Sequence, residues 1–114
     1  MPAMIVQQVV HVTDGDTITL ANGIRIRLSG VDADEMSGRC HQACARHDGP
    51  TAKSYLERLV LRRTVSCEPL DRSYDRIVAR CTVQGVDVGC RLLRDGMAVR
   101  VERYWRRYNL PACY

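Results

Sequence analysis

Five short β-type segments, with one helical segment after the third, predict a mainly β (α+β) domain: a small closed barrel of the OB type with two helices and a short C-terminal tail. Three observations carry this. Two tight turns, Asp14-Gly15-Asp16 and Ala21-Asn22-Gly23, each sit between runs of β-forming residues. Ile24, Ile26 and Leu28 alternate strictly with Arg25 and Arg27. From Pro50 the apolar period changes to that of a helix.

The first strand reads Ile5–Val12, with Thr17–Leu20 as its hairpin partner, and Ile24–Val31 follows the second turn. Residues 32–49 are polar, hold two glycines and have no clear period, which predicts a long loop of the kind that often carries function. Pro50 suits the first turn of a helix, and Ala52, Tyr55, Leu56, Leu59 and Val60 form its core-facing stripe. Thr64–Pro69 and Arg76–Val83 read as a strand pair around a loop at Asp71–Asp75. Cys90–Asp95 reads as a short helix stopped by Gly96, and Met97–Val101 as extended. The tail places Arg103, Arg106 and Arg107 among Tyr104, Trp105 and Tyr108.

The chain has 114 residues, 46% of them apolar, which suits one globular domain over 1–114 and excludes a disordered chain. No apolar run is long enough to span a bilayer, and the stretch before Val12 lacks the basic start of a secretory leader. No membrane association is expected, and a monomer is. The net charge of +4 is unevenly spread: residues 1–48 hold six acids and four bases, residues 49–114 seven acids and thirteen bases. The early acids fall in two groups, Asp14/Asp16 and Asp32/Asp34/Glu35, and an acidic focus inside a basic chain suggests a cation site beside a polyanion site.

An Asp-Gly turn needs only one aspartate. Asp14 is the turn residue, which leaves Asp16 free to project. Asp32 ends a strand, where a side chain reaches over the rim. Two carboxylates and a backbone carbonyl are hard oxygen ligands suited to Ca²⁺. The site is not an EF-hand, because the twelfth position counted from Asp14 is Arg25. Glu35 is close enough in sequence to orient a water or accept its proton. Arg27 and Arg76 offer guanidinium groups, which suit bidentate phosphate contact and stay charged at any working pH, though either can also be an ordinary surface residue. Together these are the parts that phosphodiester hydrolysis requires.

Three ordered stretches then carry a resemblance: Asp14-Gly15-Asp16-Thr17, the run from Arg27 to Glu35, and the run from Asp71 to Arg76. In this order the chain resembles the staphylococcal nuclease (thermonuclease) family, whose patterns are D-G-D-T, R-L-x-x-[IV]-D-x-P-E and D-[KR]-Y-G-R. Cys90 to Ala98 resembles a fourth segment of that family. The resemblance implies a five-stranded OB barrel and Ca²⁺-dependent cleavage of DNA and RNA leaving 3′-phosphate ends. It implies Asp16, Asp32 and the Ala33 backbone carbonyl as metal ligands, and Arg27 and Arg76 as the phosphate-binding arginines. It also implies Glu35 as general base, with Tyr74 and Tyr104 beside the nucleotide.

Four positions depart from the family patterns. Asp34 replaces a proline, adding flexibility and a third negative charge. Asp75 replaces a glycine and is a candidate internal partner for Arg76. Arg72 is displaced from the tyrosine by Ser73. The chain reaches Tyr114 about where the family's last helix would begin, so a shorter tail is expected to close the core, pinned through Cys113.

The six cysteines admit two readings. Paired, they imply an oxidising compartment and a secreted or periplasmic protein; unpaired, Cys67 and Cys81 would be small core residues. Cys67 and Cys81 lie symmetrically about Tyr74 and can face each other across the strand pair. Cys40 and Cys44 form the next candidate pair, and Cys90 with Cys113 remains by elimination. Cys40, His41, Cys44 and His47 also offer zinc-ligand types, but four ligands within eight residues reach a tetrahedron poorly. Two functions follow. One is an active metal-dependent nuclease; the other is a catalytically weak or inactive OB module that binds nucleic acid or a protein partner. A binding module has no need for both aspartates, the glutamate and both arginines, so the set favours the enzyme.

Overall fold

The computed structural model describes residues 3–113. β1 (Ile5–Asp14), β2 (Thr17–Leu20) and β3 (Arg25–Leu28) form an antiparallel meander. β4 (Val31–Asp32) follows, and a long irregular segment leads to α1 (Gly49–Val60). β5 (Thr64–Ser73) and β6 (Arg76–Val83) make a hairpin, followed by β7 (Val86–Asp87), α2 (Val88–Arg94), β8 (Val99–Arg100) and α3 (Glu102–Arg107). The sheet runs β3-β2-β1-β5-β6, and β3 also pairs in parallel with β6. That last pairing closes five strands into a mixed barrel, so no long edge is left to pair with another chain. The barrel is the one the sequence predicts.

The alternation from Ile24 is visible in the burial. Ile26 and Leu28 point into the barrel with Val9, Val12, Ile18 and Leu20, while Arg25 and Arg27 point out. Ala52, Leu56 and Val60 of α1 cap this core. Asp48 starts α1 by accepting the Thr51 N–H at 2.9 Å, which satisfies one of the free donors of the first turn.

Several boundaries differ from the sequence reading. The segment read as one strand over Ile24–Val31 breaks after Leu28, because Gly30 adopts φ +74° under Trp105. The Trp105 indole N–H donates to the Gly30 carbonyl at 2.8 Å, and a Cβ on Gly30 would lie 2.6 Å from that ring nitrogen. β4 therefore leaves the barrel and pairs with β8. β5 continues past Pro69 to Ser73, through a bulge between Pro69 and Asp71. A bulge tolerates a residue that cannot donate to the ladder, so the expected loop at Asp71–Asp75 shrinks to a turn at Tyr74-Asp75. The helix expected over Cys90–Asp95 starts at Val88, capped by Asp87, which accepts the Cys90 N–H at 2.9 Å. The tail, expected as a short segment beyond two helices, forms a third helix, α3, and buries Trp105.

Three disulfides staple the described residues: Cys40–Cys44, Cys67–Cys81 and Cys90–Cys113. Cys67 and Cys81 face each other in register across β5 and β6, both buried. Cys90–Cys113 ties the tail to α2. The zinc reading of Cys40 and Cys44 gives way to their disulfide. Three disulfides suggest an extracellular or otherwise oxidising compartment. Among the described residues no helix is long and apolar enough to cross a membrane.

Cys67–Cys81 closes a loop of 14 residues in sequence separation, worth roughly 3 kcal/mol in the chain-entropy account. Replacing both cysteines by alanine is expected to lower Tm by on the order of 10 °C. Thermal melts of the two proteins by circular dichroism check this; equal Tm values would show that the barrel does not depend on the crosslink.

Candidate functional site

The Asp14–Thr17 turn forms as its two aspartates divide the work. Asp14 Oδ1 accepts the Asp16 N–H at 3.1 Å and holds the turn, as the sequence predicts. Gly15 is forced by packing: a Cβ there would lie 2.6 Å from Ala33 Cβ and 2.7 Å from Ala52 Cβ. The turn thus sits hard against α1 and the segment after β4, which brings Asp16 beside Ala33. Asp16 Oδ2 accepts the Ala33 N–H at 2.9 Å, and Oδ1 accepts the Thr17 hydroxyl at 3.3 Å.

Asp32 reaches the same place from the end of β4. Arg27, on the outer face of β3, joins them: its Nη2 lies 3.4 Å from Asp16 Oδ2 and 3.5 Å from Asp32 Oδ1. Its Nη1 donates to the carbonyls of Leu28 at 2.7 Å and Val31 at 2.9 Å. The guanidinium is therefore held by four oxygens before any substrate arrives. Asp16 and Asp32 are both 7% exposed. Burial pushes the Asp16 carboxyl up to about 7, against the lowering effect of Arg27. One guanidinium shared between two buried carboxylates leaves the pair short of positive charge. This donor set fits a divalent cation.

The segment after β4 adds a group that the sequence reading considered only as a zinc ligand. His41 Nδ1 lies 3.4 Å from Asp32 Oδ1, and its Nε2 lies 3.1 Å from Glu35 Oε1. Glu35 is thus linked to Asp32 through an imidazole. No spacing rule points to His41, since the irregular segment that carries it has no period. Asp34 does not loosen this segment as expected. Its carboxylate is buried and accepts the Ala45 N–H at 2.8 Å, which anchors the disulfide-closed loop.

Beyond Arg27 a cavity of about 400 Å³ opens between the barrel and α3, lined by Arg27, Ser29, Arg76, Tyr104, Arg107 and Tyr108 among others. Arg76 reaches it because β6 runs parallel to β3, with Arg76 opposite Arg25. Arg76 makes no ion pair of its own among the described residues. Asp75 does not mask it: Asp75 Oδ2 pairs with Arg25 Nη1 at 2.7 Å, because the parallel register sets Arg25 beside the β5–β6 turn. Tyr104 and Tyr108 stack with ring centroids 5.9 Å apart. The Tyr108 hydroxyl donates to Asp71 Oδ2 at 2.8 Å, and Arg107 approaches the same oxygen at 3.3 Å, so α3 is clasped to β5 across the cavity. Tyr74 is not brought to this cavity. It sits at the turn tip with φ 57° and is 94% exposed.

A sequence model of staphylococcal nuclease homologues matches residues 25–112. The chain belongs to this family. The match takes in Arg27, Asp32, Glu35, Arg76 and Tyr104, while Asp16 lies ahead of its first residue. None of the curated proteins compared with the chain is similar enough to count as a relative. Family membership suggests a nuclease acting on nucleic acid, and the family typically uses Ca²⁺. Tyr108, Asp71 and Arg107 are further residues around this cavity that sequence reasoning did not single out. Tyr108 follows Tyr104 by four residues, so reading the tail as a helix would have placed both rings on one face.

Proposed function

We propose that this protein is a Ca²⁺-dependent phosphodiesterase that hydrolyses DNA and RNA and leaves 3′-phosphate ends. It acts as a single domain over 1–114, as a monomer, in a secreted or periplasmic setting. The observation that carries the reading is Arg27: one guanidinium touches two buried carboxylates and also lines a cationic cavity shared with Arg76. Asp16, Asp32 and the Ala33 carbonyl would hold the metal, which supplies positive charge against the phosphate oxygens.

The chain's own groups take the remaining roles. Arg27, pinned through Nη1 at Leu28 and Val31, would offer Nη2 and Nε to a phosphate once a metal compensates Asp16 and Asp32 in its place. Arg76, free of ion pairs among the described residues, binds the other side of the phosphorus and stabilises charge as it develops there. Glu35 accepts a proton from the attacking water. Tyr104 stacks against the nucleotide, with Tyr108 behind it. Tyr74 stands in solvent, where a longer strand passing the β5–β6 turn would meet it.

Plasmid DNA and a single-stranded RNA incubated with Ca²⁺ are expected to be degraded to 3′-phosphate products, and excess chelator is expected to stop both reactions. Retention of uncut DNA in a gel-shift assay, with no cleavage under either condition, would replace this reading with that of an inactive OB module that binds nucleic acid.

A further inference from the structure

Beside the cavity, α3 carries four planar groups in one connected run. The Arg103 guanidinium lies over the Tyr104 ring, 4.8 Å from its centroid. The Tyr104 and Tyr108 rings are stacked, with only 10° between their planes. The Arg107 guanidinium lies over the Tyr108 ring at 5.7 Å. With neighbours three and four positions apart on a helix, 103, 104, 107 and 108 share one side. Trp105 takes the other side, buried under its bond to Gly30.

The charges of the helix divide the same way. Glu102 pairs with Arg100 at 2.9 Å and with Arg106 at 3.8 Å, and none of these three lines the cavity. Arg107 lines it and pairs with Asp71. Arg103 pairs with no carboxylate among the described residues. Its Nη2 reaches the Tyr104 hydroxyl at 3.3 Å, and the residue is exposed. A guanidinium that rests on a ring face keeps its edge N–H groups available for a phosphate. Arg103 therefore stands as an uncompensated cation immediately outside the cavity, against the tyrosine that forms part of its wall. The cavity, at about 400 Å³, is on the scale of a site for a single small ligand, so a strand with one nucleotide inside must leave past this wall.

We propose that Arg103, with Arg107, forms a strand-tracking subsite outside the cavity and binds the backbone phosphates of nucleotides that flank the one held inside. The inference rests on the reading of the cavity as a nucleic-acid site and adds a preference for strands longer than the cavity holds. Guanidinium groups set beside aromatic rings suit such a strand, because the cations neutralise phosphates while ring faces accept any base. Asp71 competes with phosphate for Arg107. Arg103 has no such competitor, so its loss has the larger effect.

Calorimetry in excess chelator, where metal-dependent cleavage is stopped, can compare a dinucleotide with a single-stranded DNA dodecamer over a range of salt concentrations. The wild type is expected to bind the dodecamer more tightly. Arg103→Gln is expected to lose about fivefold in dodecamer affinity, with a salt dependence shallower by about 0.7 in log–log slope, while dinucleotide affinity stays unchanged. Arg106→Gln removes the same charge from the other side of α3 and is expected to bind both as the wild type does. Unchanged dodecamer affinity in Arg103→Gln overturns the inference. So do equal losses in Arg103→Gln and Arg106→Gln, which would reveal a general charge effect. Equal losses for dinucleotide and dodecamer overturn it as well, since Arg103 would then act only by supporting Tyr104 inside the cavity. If the wild type binds neither oligonucleotide, the nucleic-acid reading of the cavity fails, and the subsite with it.

Discussion

Asp32→Ala is expected to abolish Ca²⁺-dependent cleavage while leaving a folded protein, and Asp16→Ala is expected to do the same. Each carboxylate supplies charge that a divalent ion needs in order to stay at this place. A bound metal contributes several kcal/mol toward stabilising the reacting phosphate, which corresponds to roughly a 10³-fold or larger loss when it is gone. The fold is expected to survive for a physical reason. Both side chains are buried charges rather than core packing, so truncation removes a desolvated group and leaves the apolar barrel untouched. Arg27 keeps its bonds to the Leu28 and Val31 carbonyls in either variant. Initial rates on DNA with saturating Ca²⁺, alongside thermal melts, check the expectation. A well-folded Asp32→Ala protein with wild-type activity would overturn the assignment.

Arg76→Ala is expected to lower kcat/KM by on the order of 10³, because an arginine acting on developing phosphoryl charge can be worth that much. Arg76→Lys is expected to recover little of this, since an ammonium lacks the planar fork that meets two phosphate oxygens at once. Arg27→Ala is expected to cost activity to a similar degree, but the two variants should differ in stability. Among the described residues Arg76 has no ion pair to lose, so its removal is expected to leave Tm nearly unchanged. Arg27 is the cation shared by Asp16 and Asp32, so its removal leaves two buried carboxylates uncompensated and lowers the Tm of the chelated protein. Steady-state kinetics on DNA together with melts in chelator separate the roles. Near-normal kcat/KM in Arg76→Lys would show that a point charge suffices there.

Much of the fold was legible because local chemistry and global structure agree. The Asp14-Gly15-Asp16 turn, the alternation from Ile24 and the α1 stripe each serve the barrel that forms, so short-range reading was enough. Reading failed where a distant residue overrides a local preference. Val31 and Asp32 look like the continuation of β3, yet Trp105 from the far end of the chain packs over Gly30 and turns them away. Pro69 looks like the end of a strand, yet a bulge carries β5 past it.

By itself the sequence determined the barrel class, the order of the motifs, the division of labour between Asp14 and Asp16, and cysteines placed so that Cys67 and Cys81 could meet. These follow from side-chain periods and turn chemistry, which act over a few residues. Only the tertiary structure decided which charges meet. Asp75 went to Arg25 and left Arg76 open, because barrel closure in parallel register set β3 beside the β5–β6 turn. His41 went to Asp32 and Glu35, because a disulfide and the Asp34 anchor fix an otherwise irregular loop. Electrostatic partners are chosen by distance in space, and in a closed barrel that distance is set by pairings between segments far apart in the chain, such as Ile5 with Cys67 and Arg25 with Arg76, which no local pattern encodes.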